Sequence, residues 1–255
     1  MLKLSKDSPV KIVILGAGGT GGHIAPHLYR LLHALDRPTK IILADGDVVE
    51  KKNLVRQNFA EADLGENKAK ALAERYSSAF GLEASYLPDF IEDEKRLMEL
   101  VTPEKHLISR RYSAKKHAMV EKHRFDLVIL IGATDNNKSR KMCCSVFEKS
   151  RDLIYIDSGN GEHSGQIVCG IRRGGRTMFQ PVSTFYPEIL EDTDKFPTEL
   201  SCAEASVSAP QSIAANIMAA AAVVNFVYNI LVLGECTVRK VDFSTKTLHM
   251  RPTQR

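Results

Sequence analysis

The sequence is that of an α/β protein: an open mixed sheet with helices on both faces. Three observations carry this reading. A short apolar run, Val10–Leu15, ends in the glycine-rich segment Gly16-Ala17-Gly18-Gly19-Thr20-Gly21-Gly22. Short apolar runs then alternate with helical segments, the pattern of parallel strands joined by crossover helices. The chain closes on strand-rich segments that imply antiparallel edges.

The elements follow in order. Val10–Leu15 reads as a buried parallel strand, and Thr20 to Leu35 as a helix stopped near Pro38. Lys40–Ala44 is a second strand ending at Asp45, which completes a Rossmann-like βαβ unit. Asn67 to Phe80 is helical and Leu82 to Leu87 a third strand. Residues 92–124 read as a helical insertion with a basic face, either solvated or a docking surface for an acidic partner. Phe125–Ile131 is a strand, Asn137–Ser150 a helix and Leu153–Asp157 another buried strand. Gln166–Arg172 and Arg176–Phe179 pair around the Gly174-Gly175 turn.

Residues 181–210 lack periodicity, carry several prolines, and read as a long functional loop. Ile213–Leu233 is long and apolar enough to imitate a membrane span. Asn216, Asn225 and Asn229 interrupt it, so a buried helix is the expectation. Strands near Thr237–Phe243 and Thr247–Met250 end the chain. No internal repeat is visible. The expected organisation is one domain over 1–255, with a nucleotide-binding half at about 9–160, a crossover loop at about 181–210, and a helix and strands at about 211–250.

The 255 residues are 44% hydrophobic and 26% charged, values of an ordinary globular protein. A net charge of +4 is too mild to indicate nucleic acid. Five cysteines occur without a C-x-x-C pair, so zinc is not expected. The opening residues lack the apolar run of a secretory leader, and a reducing cytoplasm is the expected compartment. His23, His27 and His33 share the first helix without an acid to complete a metal set.

The glycine loop lies between strand and helix, where backbone N–H groups of Gly16 and Gly18 can approach phosphate oxygens. Asp45 can accept from ribose hydroxyls in NAD and ATP alike. Asn53, Arg56 and Gln57 follow at helical spacing, on the side where phosphates lie. Arg56 suits a leaving pyrophosphate, and Lys68 could add a point charge. Asp135, at the carboxyl end of a parallel strand, suits Mg²⁺ or an N-cap. Cys202 precedes the long helix and could accept an activated acyl group, or be inert and buried. Cys143 and Cys144 face a helix interior.

Taken together, Gly16-Ala-Gly18-Gly19-Thr-Gly21, Asp45-x-Asp47, Asn53-Leu-x-Arg56-Gln57, Lys68, and Thr134-Asp135-Asn136 with Arg140 resemble the ThiF/MoeB/HesA family, bacterial relatives of ubiquitin-activating enzymes. Ile156-Asp-Ser-Gly159 with Gly165-Gln166, and Ser201-Cys-Ala-Glu-Ala205 before the long helix, agree. The match spans most of residues 9–243.

The resemblance implies ATP- and Mg²⁺-dependent adenylation of the C-terminal carboxylate of a ubiquitin-like or sulfur-carrier-like protein ending in glycine, by a homodimer. Asp45 would hold the ribose. Asn53, Arg56, Gln57 and Lys68 would hold the triphosphate, with Gly16, Gly18, Gly19, Gly21, Asp47 and Asn136 also at the nucleotide, and Asp135 would hold Mg²⁺. Cys202 falls where some members use a thiol. The chain departs from the family in lacking an N-terminal Arg-Tyr-x-Arg-Gln segment and both zinc pairs, and Ser206 stands where Gly is common. The rival readings are an NAD-dependent oxidoreductase and a non-catalytic scaffold for a ubiquitin-like partner.

Overall fold

The computed structural model describes residues 2–199 and 210–253. Its centre is a mixed sheet built on β2 (Val10–Leu15), whose backbone is flanked by parallel partners on both sides. One side continues through β3 (Thr39–Ala44) to β4 (Tyr86–Leu87), also parallel. The other runs through β7 (Leu127–Gly132) and β8 (Leu153–Asn160), parallel, then β9 (Ser164–Arg173), β12 (Lys240–Ser244) and β13 (His249–Thr253), all antiparallel. β10 (Arg176–Phe179) pairs with β9, and β1 (Leu2–Lys3) pairs antiparallel with β11 (Glu235–Cys236) apart from this sheet. The antiparallel edge expected from the tail is present.

The pleat of β2 sends its side chains to two cores. Val10, Ile12 and Ile14 meet α1 (Gly19–His33), α2 (Lys68–Phe80) and α7 (Ile213–Tyr228). Val13 and Leu15 meet α3 (Glu94–Val101) and α4 (Asn137–Lys149) on the opposite face. Side-chain caps start α2, α3, α4 and α7; Asn67 Oδ1 accepts from Lys70 N at 3.0 Å, for example, and Ser212 Oγ from Ala215 N at 3.1 Å. Burial pushes the Cys143 and Cys144 thiols up in pKa, which leaves them inert packing groups.

The helix α7 continues as a π-turn, Asn229–Leu233. Ile213–Leu233 has the length and apolarity of a membrane span, yet half of it is buried in this core. The asparagine that looked like an interruption, Asn216, is fully buried.

Three stretches differ from the expectation. The third strand shrinks to Tyr86–Leu87. The insertion at 92–124 is not a basic helix: only Glu94–Val101 is helical, and β5 (Lys105–Ser113) and β6 (Ala118–Phe125) form a separate antiparallel hairpin. Its cations sit at strand spacing around a bulge between Leu107 and Ser109, which hid the two-residue period. Residues 181–199 hold two short helical turns, α5 (Val182–Phe185) and α6 (Glu188–Glu191), because Val182 and Ile189 reach the second core.

At the root of the hairpin, Glu104, His106 and Asp126 bring ligand-type atoms within 4.8 Å of one another. Topology assembles this group; no spacing in the sequence announces it. Glu104 is already neutralised by Lys11 and Lys40, each at 3.4 Å.

Candidate active site

The strand order reverses between β3 and β7 on either side of β2, and carboxyl ends at such a point are where open α/β sheets place ligands. Gly16, Asp45 and Thr134-Asp135 leave the three adjacent strands there and line one cavity of about 730 Å³.

The glycine loop is required sterically. Gly16 has φ +93°, and a Cβ at Gly21 would lie 1.9 Å from the Gly16 carbonyl oxygen. Contact between loop and helix is therefore possible only without side chains. Gly21→Ala is expected to cost about 1–3 kcal/mol by forcing α1 off the strand, read as a lowered melting temperature. The first turn of α1 has no acid and no side-chain cap, and Gly18, Gly19 and Thr20 line the cavity, an arrangement that suits an anion.

Asp45 is buried, with Oδ2 accepting from Ala17 N at 2.6 Å and Oδ1 from Asp47 N at 2.8 Å. These bonds leave lone pairs for a hydroxyl. Burial raises its pKa above the ordinary 3.8, against the pull of Lys68 and both backbone donors. The raised value makes its contribution to folding fall as pH climbs from 3.8 through the folded-state value.

Lys68 is buried and its Nζ is 2.7 Å from Asp47 Oδ2, while Asp47 is exposed. The sequence placed these two side by side as nucleotide ligands; in the structure they are also each other's partners. Asn53, Arg56 and Gln57 come together through a 3₁₀ turn, Lys51–Val55, rather than an α-helix. Asn53 Oδ1 accepts from Glu50 N at 2.8 Å. Arg56 Nη1 donates to Gln211 Oε1 at 2.9 Å. Gly19 makes room for it: a Cβ there would be 2.7 Å from Arg56 Nη1 and 2.6 Å from Asn216 Oδ1.

On the far wall, Asn136, not Asp135, caps α4, its Oδ1 accepting from Ser139 N at 2.8 Å. The capping alternative for Asp135 is thereby overturned, and its carboxylate is exposed at the cavity. Arg140 Nη2 donates to Thr134 O at 2.8 Å and its Nε lies 3.4 Å from Asp157 Oδ1. Tyr155 OH donates to Asp157 Oδ2 at 2.7 Å. Burial raises the Asp157 pKa, partly offset by Arg140. Burial alone would lower Arg140, but Asp157 and Tyr155 outweigh it and hold the guanidinium charged.

Sequence reasoning passed over Asp157, Gln211 and Asn216 as site residues. Asp157 looked like a strand end, Gln211 lay beside a featureless loop, and Asn216 was one of three asparagines interrupting an apolar helix.

The cavity wall retains unmet polarity. Gln57 Oε1, Ser158 Oγ and Asn160 Nδ2 are buried without a hydrogen-bond partner among the described residues and belong to residues that line it. Asn216 Oδ1, behind Gly19, likewise has no partner among the described residues. Orphaned buried groups of both polarities fit a polar ligand with donors and acceptors.

Cys202 lies outside the described residues. Both flanks of its segment border the cavity: Pro197 and Gln211 line it, and Thr198 N donates to Glu92 Oε1 at 3.1 Å.

A sequence profile of the ThiF family matches residues 3–254. No curated protein matches the sequence. Among solved structures, PaaA superposes with TM-score 0.62 at 18% identity over 96% of this chain and 64% of that one. Escherichia coli MccB with ATP gives TM-score 0.58 at 19% identity, covering 96% and 63%. The microcin C7 biosynthetic enzyme MccB in complex with N-formylated MccA gives 0.63 at 17%, covering 96% and 64%. At these identities the likeness is one of fold, and the chain spans less than two thirds of the length of each. The chain belongs to the ThiF family.

Proposed function

We propose that this chain binds Mg·ATP in the cleft and adenylates a carboxylate of a peptide or protein, in the finer reading the C-terminal carboxylate of a ubiquitin-like or sulfur-carrier-like protein ending in glycine. The observation that carries this is the convergence of Arg56, Lys68 and the exposed Asp135 on the cavity that also holds the start of α1 and the buried Asp45. MccB, solved with ATP and with MccA, shares this fold and supports the reading.

The residues divide the work. The N–H groups at the start of α1 face phosphate oxygens, and Asp45 accepts from the ribose. The acceptor carboxylate oxygen forms a bond to the α-phosphorus as the α–β bridging bond breaks and pyrophosphate departs with its electron pair. Arg56 stabilises the charge on that leaving group, and Lys68 joins it when Asp47 releases it. Asp135 would hold Mg²⁺, which neutralises triphosphate charge when bound. The protein contributes position and field, not a covalent group, to this step. The Cys202 sulfur, as thiolate, then bonds to the acyl carbon as that carbon's bond to the adenylate oxygen breaks and AMP leaves with the electron pair, giving a thioester.

Asp45 gives the reading a pH signature. Because its pKa is raised, the ribose acceptor is lost at a higher pH on acidification than for an ordinary carboxylate. ATP affinity is expected to fall as pH drops through that value, and Asp45→Asn to flatten the dependence, measured by calorimetric titration.

The homodimer has support in an exposed stripe on α7, where Ile213, Ile217 and Tyr228 remain solvent-facing. The reading is tested against the NAD alternative by thermal shift: Mg·ATP is expected to raise the melting temperature and NAD to leave it unchanged. Stabilisation by NAD alone would reverse the assignment.

A further inference from the structure

The hairpin β5–β6 stands apart from both cores. It pairs with no strand of the main sheet, most of its residues are exposed and none is buried. A two-stranded hairpin alone in water is marginal, so its faces invite a partner.

Charge is concentrated there. Residues 105–125 carry seven Lys or Arg against one Glu, a net +6 in a chain whose total is +4, so the remaining residues sum to −2. Arg110 is held by Glu121 across the strands at 2.6 Å, and Arg124 anchors the root to Asp7 O at 2.8 Å. Lys105, Arg111, Lys115, Lys116 and Lys122 have no ion-pair or hydrogen-bond partner through their side chains among the described residues.

The register sorts the side chains by face. The pairs Leu107–His123, Tyr112–Met119 and Lys105–Phe125 lie on one side, which holds the large apolar groups and also the mutually neutralised Arg110–Glu121 pair. Leu107, Tyr112, Met119 and Phe125 are each about half exposed or more. The pairs Ser109–Lys122, Arg111–Val120 and His106–Arg124 lie on the other, cationic side. The apolar side runs into a second cavity of about 870 Å³, lined by Phe125, Leu127, Met98 and Val101 with Arg151 beside them. This cavity is at the amino end of β7, about 20 Å along the strand from the nucleotide end.

We infer that the hairpin and the cavity at its foot form a docking surface for an acidic protein segment bearing an apolar anchor, separate from the adenylation cleft. The composition fits a protein interface, where aromatic, Met and Arg side chains are enriched. A second copy of this chain is disfavoured because it would set one +6 arm against another. Nucleic acid would use the cations but leave Leu107, Met119 and the apolar cavity without a role. The edges are charged and bulged, so recognition is by side chains rather than by strand addition.

The test is fluorescence anisotropy with the full chain and a labelled amphipathic peptide of glutamate and leucine. Oligo-glutamate and single-stranded oligothymidylate serve as comparators. The peptide is expected to bind at least about tenfold tighter than either comparator. Two double variants are made, Arg111→Glu with Lys122→Glu, and Tyr112→Ser with Met119→Ser. Each is expected to weaken it by about tenfold with an unchanged melting temperature. Tighter binding of the oligothymidylate would overturn the inference in favour of nucleic acid. So would peptide binding indifferent to both variants, or a sedimentation shift from dimer to monomer on charge reversal. These readouts do not involve ATP, so they stand or fall apart from the adenylation reading.

Discussion

Replacing Arg56 by alanine lowers ATP–pyrophosphate exchange by about 10²–10³-fold, the loss typical of removing one preorganised donor from a developing charge. The fold should tolerate the change. Arg56 is half-buried and among the described residues its side chain bonds only Gln211, whose Oε1 still accepts from Asn216 Nδ2 at 3.1 Å. Arg56→Lys keeps the charge and loses the planar fork, so its activity should fall between the two. Exchange unchanged in Arg56→Ala, with ATP still bound, would remove the arginine from the chemistry.

The second large effect is on stability. Asp157 and Arg140 are a buried pair with Tyr155 as a third member, and together they hold the Thr134 carbonyl and so the turn that presents Asp135. Asp157→Asn leaves the guanidinium buried without its counter-charge, a loss of about 3–5 kcal/mol. For a domain of this size that is a fall in melting temperature of roughly 10 °C. Combining it with Arg140→Met should recover part of the loss, because the stranded charge is then gone. A double variant as unstable as the sum of the singles would show that the pair is not coupled.

The cleft was legible where chemistry is tied to the ends of parallel strands. Gly16 and Asp45 follow an apolar run directly and Asp135 follows one after Gly132-Ala133-Thr134, and the sheet must bring those ends together whatever the rest of the chain does. Arg56 and Lys68 were legible because they follow Asp45 closely along the chain, although their mutual arrangement, with Lys68 on Asp47, depends on the turn at Lys51–Val55. Asp157 was hidden because β8 continues past it to Asn160, and a buried carboxylate inside a strand is recognisable only when its cation is found on a helix far along the chain. Gln211 and Asn216 were hidden for the same reason: their partner Arg56 is brought to them by tertiary packing.

The hairpin at 105–125 was misread for a local reason. Lys-His-Leu-Ile-Ser-Arg-Arg-Tyr-Ser has no alternation of apolar and polar residues, because the bulge after Leu107 shifts the phase and neither face is covered. Without a buried face, the usual periodic signal of a strand has no cause.

The most direct measurement is Mg²⁺-dependent ATP–pyrophosphate exchange with small proteins encoded nearby that end in glycine, each tested with a free and an amidated C-terminus. The account expects exchange with one such partner, its loss on amidation, and its persistence in Cys202→Ala, which would place the thiol after adenylate formation. ATP binding without exchange for any free carboxyl terminus would contradict adenylation and leave the chain a scaffold.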